Sequence, residues 1–454
     1  MASDPLTRAT ASLYGLALGD ALGSQFFVPA NREALATRTL PPWPWQWTDD
    51  TEMACSVYRL LTGLGMVDQD ALAASFAAHH DFDRGYGPAT GRMLRLVRQG
   101  GDWRALASGL FDGNGSWGNG AAMRVAPLGA WFAGDPAAVV RQAGLSARVT
   151  HTHPEAVAGA VAVAVAAAVA ASETDLSPGR FIDAVLDHTP PGGVRDGIGA
   201  ARRLLLTVAD PLLAARALGN GRKTAAHDTV PFTLWAAARH LNDLEQAIWT
   251  TATAGGDVDT TCAIVGGILG GRAGLGGLPR EWLRRVEPLP GWAEVPAGLR
   301  PETADGAWPH STAGVPAPSA PDGVVTRSSL RKVIPFADPV AMPPPERVWS
   351  DDDWAVIRRG HRPVGMDDRW SAYVEGDTLH LHRSWTGHQI YEARFGRMPG
   401  GRSVVAARVE ADRERHRRAG DAYDRLLLEL LVDTILLGRH DPRRWDEPAS
   451  LRPA

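Results

Sequence analysis

The chain has 454 residues, too many for one hydrophobic core, so at least two domains are expected. Lys and Arg total 47 against 51 Asp and Glu, a formal charge of -4, a balance that gives no reason to expect non-specific binding to nucleic acid or a membrane surface. Cys55 and Cys262 are the only cysteines, far apart and without metal-ligand spacing, which fits a reducing, cytoplasmic compartment.

The N-terminal stretch MASDPLTRATASLYG has no basic segment leading into an apolar core, so no secretion signal is read there. Residues 9–27 read as a helix. Gly15, Gly19 and Gly23 recur every four residues and share one face. Each costs about 1 kcal/mol relative to Ala, which the close approach of another helix or a ligand would offset. Helical patterns follow over 50–64, 68–80, 91–99, 119–131 and 136–148. The run 156–172 is mostly Ala and Val, slightly short for a membrane span, and reads as a buried core helix. Further helices are expected over 178–188, 196–208, 231–250 and from Asp259 to about Arg272. Strand signals are scarce before residue 290, so residues 1–300 are expected to be all-α.

Residues 301–323 are rich in Pro, Ala, Ser and Gly and read as a linker. Beyond it the period changes. Residues 370–385 alternate around a Glu-Gly-Asp turn, the signature of a hairpin, and QIYEARF (389–395) reads as another strand. With an amphipathic helix over about 419–437, residues 324–454 form a small α+β domain of unassigned role. His380 and His382 alternate on one strand, near Arg383 and His388. Exposed strand histidines are expected there rather than a metal site.

Two acidic motifs carry the chemistry. In WTDDTEMA (47–54), Asp49 and Glu52 fit a capping box at a helix start, which leaves Asp50 and the flanking threonines unexplained. In GGDVDTTCAIVGG (255–267), Asp257, Asp259 and Thr260 again stand at a helix start. If the two ends meet, four carboxylates and two hydroxyls face one another and need a counter-ion. These are hard oxygen donors, which select Mg²⁺, Mn²⁺ or Ca²⁺ over zinc, and four carboxylates suit two ions better than one.

Together with GLALGDALG (15–23), GNGAAMRVAPLG (118–129) and THTHPEAVAGA (150–160), these strings occur in an order that resembles the ADP-ribosylglycohydrolase family, over roughly residues 10–275. The resemblance implies an all-α ADP-ribosylglycohydrolase-like catalytic domain with a dinuclear Mg²⁺ or Mn²⁺ centre. Thr48, Asp49 and Asp50 would bind metal from one side, and Asp257, Asp259 and Thr260 from the other, with Asp257 also helping to activate the attacking water. It implies an ADP-ribosylated protein or other ADP-ribosylated acceptor as substrate and ADP-ribose as product, with no membrane partner and nucleic acid not favoured. In the Gly-rich loop, the backbone of Gly115, Gly118, Asn119 and Gly120 would receive a diphosphate. Ser116 would add a hydroxyl there and Trp117 an aromatic face. Gly85, Tyr86 and Gly87 resemble a substrate-loop segment. His151 lines the pocket or, on the rival reading, is a structural His at a helix start. Asp20 is expected to be a buried supporting group rather than a ligand. One departure stands out: the animal branch of the family has an acidic residue where Phe27 stands here. Asp83, Glu52 and Glu33 are the alternative carboxylates. A non-catalytic ADP-ribose-binding or structural protein on the same fold is the competing reading.

Overall fold

The computed structural model describes residues 4–28, 31–81, 84–301, 324–330, 333–363, 370–384, 387–412, 415–416, 418 and 420–439. Contacts divide the chain into two compact units, Met1–Ser311 and Thr312–Ala454. The expected linker, apart from Pro301, lies outside the described residues, as do Asp83, Trp385 and Ala419.

The first unit is built of helices; among its described residues, extended pairing is limited to the isolated bridges Trp45–Val286 and Gly118–Ala225. Its centre is a crossing of two helices, Pro5–Gln25 and Val258–Ala273. Asp4 caps the first, accepting the Thr7 N–H at 3.0 Å, with Pro5 in the first turn where a missing N–H costs nothing. The glycine face meets backbone directly. A Cβ on Gly19 would lie 2.1 Å from the Cys262 carbonyl oxygen, and one on Gly15 2.4 Å from that of Gly266. The partner helix answers in kind, since a Cβ on Gly266 would lie 2.2 Å from the Gly15 oxygen. This approach sets the start of the second helix, and Asp259 with it, beside Asp20.

Pro154–Ser172 is long and apolar enough to cross a membrane by composition, yet 78% of its most apolar window is buried inside the protein, as expected for a core helix. Two expected helices are broken. Residues 119–131 form a 3₁₀ turn, Asn119–Ala121, and then the helix Ala126–Trp131. The Asn119 N–H is drawn to the Thr224 carbonyl (3.0 Å), and Pro127 favours a fresh helix start. Residues 231–250 lie in two helices, Ala226–Arg239 and Leu244–Thr253. The Asp243 carboxylate caps the second, accepting the Gln246 N–H at 3.0 Å.

The second unit is an antiparallel sheet of β1 (Pro339–Met342), β2 (Val348–Trp349), β3 (Trp370–Glu375), β4 (Thr378–Arg383), β5 (Gln389–Met398) and β6 (Gly401–Glu410). The order is β1-β6-β5-β4-β3, with β2 also on β6. The hairpin expected around the Glu-Gly-Asp turn is β3–β4, with Trp370 opposite Arg383. Strand β6 went unread: it pairs along β5 as a second hairpin. Trp349, Trp354, Leu381, Phe395 and Leu428 form the core with the helices Asp351–Ile357 and Asp421–Leu431. His382 corrects an expectation. It is fully buried, its Nδ1 is 2.9 Å from the Gly387 carbonyl, and its ring stacks on Tyr373. Burial lowers its pKa to about 4. The neighbouring His380 is partly covered by Gln389 and by Glu392, 3.6 Å away.

Candidate active site

Thr48 is the residue at the N-cap of the helix Asp49–Leu64, but no side chain of its own segment caps that helix. The cap comes from across the crossing. Asp20 Oδ2 accepts the N–H groups of Thr48 (2.9 Å) and Thr51 (3.1 Å) and the Thr51 hydroxyl (2.6 Å). The Thr48 hydroxyl lies 2.8 Å from Asp20 Oδ1 and 3.0 Å from Asp50 Oδ2. The capping-box reading of Asp49 and Glu52 therefore fails. Glu52 instead accepts the Asp81 N–H (3.0 Å) and the Tyr86 hydroxyl (2.7 Å) in a buried niche that pushes its pKa up to about 8. With the helix end satisfied by Asp20, Asp49 and Asp50 are released from capping.

The second motif arrives opposite. Asp257 stands at the N-cap of Val258–Ala273 without capping it; its Oδ2 accepts from Asn119 Nδ2 at 2.7 Å, and Asn119 also reaches the Thr229 hydroxyl at 3.1 Å. Asp259 Oδ1 accepts the Thr260 N–H (2.8 Å), and the Thr260 hydroxyl lies 3.5 Å from Asp50 Oδ2. Carboxylate oxygens of Asp20, Asp50 and Asp259 come within 4.8 Å of one another. Asp50 Oδ1 is buried without a hydrogen-bond partner.

Electrostatics make the cluster costly by itself. Burial raises the pKa of Asp49, Asp50 and Asp259 well above the ordinary value, and neighbouring carboxylates raise it further, Asp20 foremost for Asp49 and Asp50 and Asp257 foremost for Asp259. Burial also raises Asp20 and Asp257, against their hydrogen bonds to Thr51 and Asn119. Like charges this close resist ionising together. An all-oxygen donor set with an orphaned buried carboxylate oxygen fits a hard divalent cation, whose charge would offset that repulsion.

The remaining site residues divide. Gly85 has φ +95°, and a Cβ there would point to within 3.8 Å of Asp49 Oδ1, so this backbone borders the carboxylates. Tyr86 is turned inward to Glu52 and packs edge-on against His80. Gly87 is the exposed N-cap of the helix Pro88–Arg98. In the Gly-rich loop, Trp117 is 40% exposed and packs against Phe111, 46% exposed, at 4.9 Å between ring centroids. Ser116 is buried and its hydroxyl accepts the Gly118 N–H at 3.2 Å.

The expected backbone cradle is narrower than the sequence suggests. The Gly115 N–H goes to the Leu110 carbonyl (2.9 Å) and that of Asn119 to Thr224, while the Gly120 carbonyl accepts from Arg124 (3.0 Å). Asn119 thus positions Asp257 rather than offering its amide to a diphosphate. His151 is buried under the loop, where Cβ atoms on Gly118 and Gly120 would lie 3.2 Å and 2.8 Å from its ring. Its Nδ1 is 2.7 Å from the Thr150 hydroxyl, and burial, with Arg124 nearby, lowers its pKa to about 3. It is neutral and packed beneath the loop, three residues before the helix Pro154–Ser172. Phe27 is 54% exposed beyond the first helix and supplies no carboxylate. Asp20 is buried and supports the start of the helix Asp49–Leu64, as expected of it, and its carboxylate also comes within the cluster with Asp50 and Asp259.

Comparison with known proteins follows this geometry. The ADP-ribosylglycohydrolase family profile matches residues 1–311. The chain is 28% identical to "ADP-ribosylhydrolase ARH3" of Homo sapiens over 334 residues, covering 63% of this chain and 91% of that one. It is 27% identical to "ADP-ribosyl-[dinitrogen reductase] glycohydrolase" of Rhodospirillum rubrum, covering 62% and 90%. A solved chain described as "ADP-ribosylglycohydrolase-related protein complex" superposes with a TM-score of 0.42 at 27% identity, covering 63% and 93%. This chain belongs to the ADP-ribosylglycohydrolase family.

Proposed function

We propose that the protein is a hydrolase, dependent on Mg²⁺ or Mn²⁺, that releases ADP-ribose from an ADP-ribosylated protein or other acceptor. The observation that carries this is the meeting of Asp20, Asp50 and Asp259, within 4.8 Å of one another, flanked by Asp49 and Asp257. The relatives' names support the class of reaction.

Divalent cations bound there, two on this reading and held by Thr48, Asp49, Asp50, Asp257, Asp259 and Thr260 together with Asp20, would supply Lewis acidity toward ribose hydroxyls and water. The protein's own groups do the rest. Hydrolysis breaks the bond between the anomeric carbon and the acceptor; the water oxygen bonds to that carbon, and the acceptor leaves with a proton. Positive charge grows on the anomeric carbon as the bond breaks, and the carboxylates on both sides stabilise it. On this reading Asp257 holds the proton of the attacking water. One of its oxygens is fixed by Asn119, and it stands outside the tight Asp20–Asp50–Asp259 triad. Trp117 and Phe111 offer an exposed aromatic face to the adenine, and the Ser116–Trp117 backbone lies beside it for the diphosphate.

The test is incubation with Mg²⁺ or Mn²⁺ and a panel of ADP-ribosylated Arg, Ser and DNA substrates. Release of ADP-ribose that vanishes in Asp49→Ala and Asp257→Ala supports the reading. Tight ADP-ribose binding with no release from any substrate would assign a non-catalytic binding protein instead.

A further inference from the structure

The loop Gly219–Ala226 touches both halves of the site. At one end it is pressed onto Asp257. The Asn220 carbonyl accepts the Asp257 N–H at 3.0 Å, and a Cβ on Gly221, φ +81°, would lie 2.5 Å from the Asp257 Cβ, so only glycine allows this approach. At the other end it joins the Gly-rich loop. Thr224 O accepts the Asn119 N–H at 3.0 Å, and the Ala226 N–H reaches Trp117 O at 3.0 Å. Its middle is tied internally: the Gly221 N–H goes to Asp228 O and the Lys223 N–H to Asp228 Oδ2, each at 2.9 Å, while Asn220 Nδ2 holds the Ala254 carbonyl at 2.9 Å.

This firmly held backbone presents two exposed cations, Arg222 and Lys223. Neither has a carboxylate partner among the described residues, although exposed arginines elsewhere in this unit, such as Arg104 with Asp70 and Arg202 with Asp183, are paired. The Asp228 carboxylate accepts from the Lys223 backbone N–H, not from its ammonium group. Two unneutralised cations therefore stand on a fixed loop that spans from the carboxylate cluster to the Trp117 platform. A ligand that occupies both ends must carry its linking group past them. In an ADP-ribosyl group that link is a diphosphate.

We propose that Arg222 and Lys223 bind the diphosphate of the ADP-ribosyl group and so select it over uncharged nucleosides. The inference rests on the proposed function for the identity of the ligand. Charged hydrogen bonds to phosphate oxygens are among the stronger polar contacts, so losing both should be plainly visible in affinity.

The experiment is calorimetric titration of the full-length protein with ADP-ribose in Mn²⁺, with adenosine as an uncharged control. Arg222→Gln/Lys223→Gln is expected to raise the Kd for ADP-ribose about 10-fold or more and to flatten its salt dependence, leaving adenosine affinity unchanged. Arg222→Lys/Lys223→Arg should stay within about threefold of the parent. Both side chains are exposed, and the adenosine titration reports that the fold survives. Unchanged ADP-ribose affinity in the double Gln variant overturns the inference while leaving the function standing. So does a defect confined to an ADP-ribosylated protein substrate, which would mean that the cations read the acceptor. Absence of saturable ADP-ribose binding by the parent would overturn the proposed function itself.

Discussion

Arg84 and Glu287, 203 positions apart, form a two-pronged ion pair of 2.7 and 2.9 Å in the protein interior, with both side chains 4% exposed or less. The same guanidinium lies 3.4 Å from the Trp47 ring centroid and donates to the Trp47 carbonyl at 3.0 Å. Trp47 directly precedes Thr48-Asp49-Asp50, and Arg84 directly precedes Gly85, which borders Asp49. The pair therefore clamps two segments of the carboxylate site to the segment near residue 287. Glu287→Gln leaves the buried guanidinium with Asp81, 3.9 Å away, as a poorer partner. The expected loss is about 3–5 kcal/mol of folding free energy in urea melts. Replacing both residues, as Arg84→Met/Glu287→Leu, should restore much of that stability, because neither member of the pair is left buried without the other. Mn²⁺ affinity should stay weakened in the double variant, because Trp47 and Gly85 have lost their anchor. Full recovery of Mn²⁺ affinity would show that the clamp is structural only.

The glycine crossing makes a prediction of opposite signs at two positions. Gly19→Ala places a methyl group 2.1 Å from the Cys262 carbonyl, where only backbone can yield. The helices must part, at a cost of about 2–3 kcal/mol or more, and Asp20 moves away from Asp259 with them. Gly63→Ala, near the exposed end of the helix Asp49–Leu64, meets nothing within 4 Å. It should stabilise by about 0.5–1 kcal/mol. Denaturant midpoints for the two variants check this; similar effects at the two sites would remove the argument from close packing.

Much of this was legible because local signals and tertiary packing agree. The helix Pro136–Arg148 spans the residues expected of it, with Asp135 as its cap. The glycine spacing announced a close neighbour, and the two acidic motifs announced a meeting of carboxylates. What was not legible depends on distant partners. A Thr-x-x-Glu pattern looks like a capping box whether or not Tyr86 is waiting for the glutamate. Asp20 reads as one more buried polar residue until the Val258–Ala273 helix brings Asp259 to it. Asn119 looks like part of a phosphate loop until Thr224 takes its amide and Asp257 its side chain. For His382, strand alternation gives the face, but not the Gly387 carbonyl and Tyr373 ring that cover it.

Asn119 has a consequence for catalysis. Its amide is a neutral donor fixed on an Asp257 oxygen, at 2.7 Å, and Thr229 holds it there. Asn119→Ala removes a hydrogen bond to a charged group, which typically contributes about 1.5–3 kcal/mol. The corresponding fall in kcat/KM is about 10-fold to 100-fold. Asn119→Asp substitutes like-charge repulsion for that bond and should cost more than Ala, in Mn²⁺ affinity as well as rate. Equal rates for the Ala and Asp variants would show that the contact does not orient Asp257.

The raised carboxylate pKa values fix the sign of a pH effect. Asp20, Asp49, Asp50 and Asp259 all titrate above the ordinary 3.8 in the folded chain. An acid whose folded pKa is raised keeps its protons longer when folded than when unfolded. Its contribution to stability is present below pH 3.8 and is lost as pH rises toward the folded values. His151 acts in the other direction: with a folded pKa of about 3 against an ordinary 6.5, it costs stability as pH falls below 6.5. Comparing chelated and Mn²⁺-loaded protein at each pH cancels His151 and isolates the carboxylates. Cation binding competes with their protons, so at fixed Mn²⁺ the stabilisation should grow from pH 5 to pH 8. It should reach about 2.7 kcal/mol where the free ion stands at 100 times its Kd. Asp50→Asn removes one charge from the cluster. At pH 8 it should stabilise the chelated protein by on the order of 1 kcal/mol while removing most of the response to Mn²⁺. Thermal melts in chelator and in Mn²⁺ at the two pH values measure both effects. A Mn²⁺ response that is the same at pH 5 and pH 8, or that persists in Asp50→Asn, would place the cation somewhere other than among these acids.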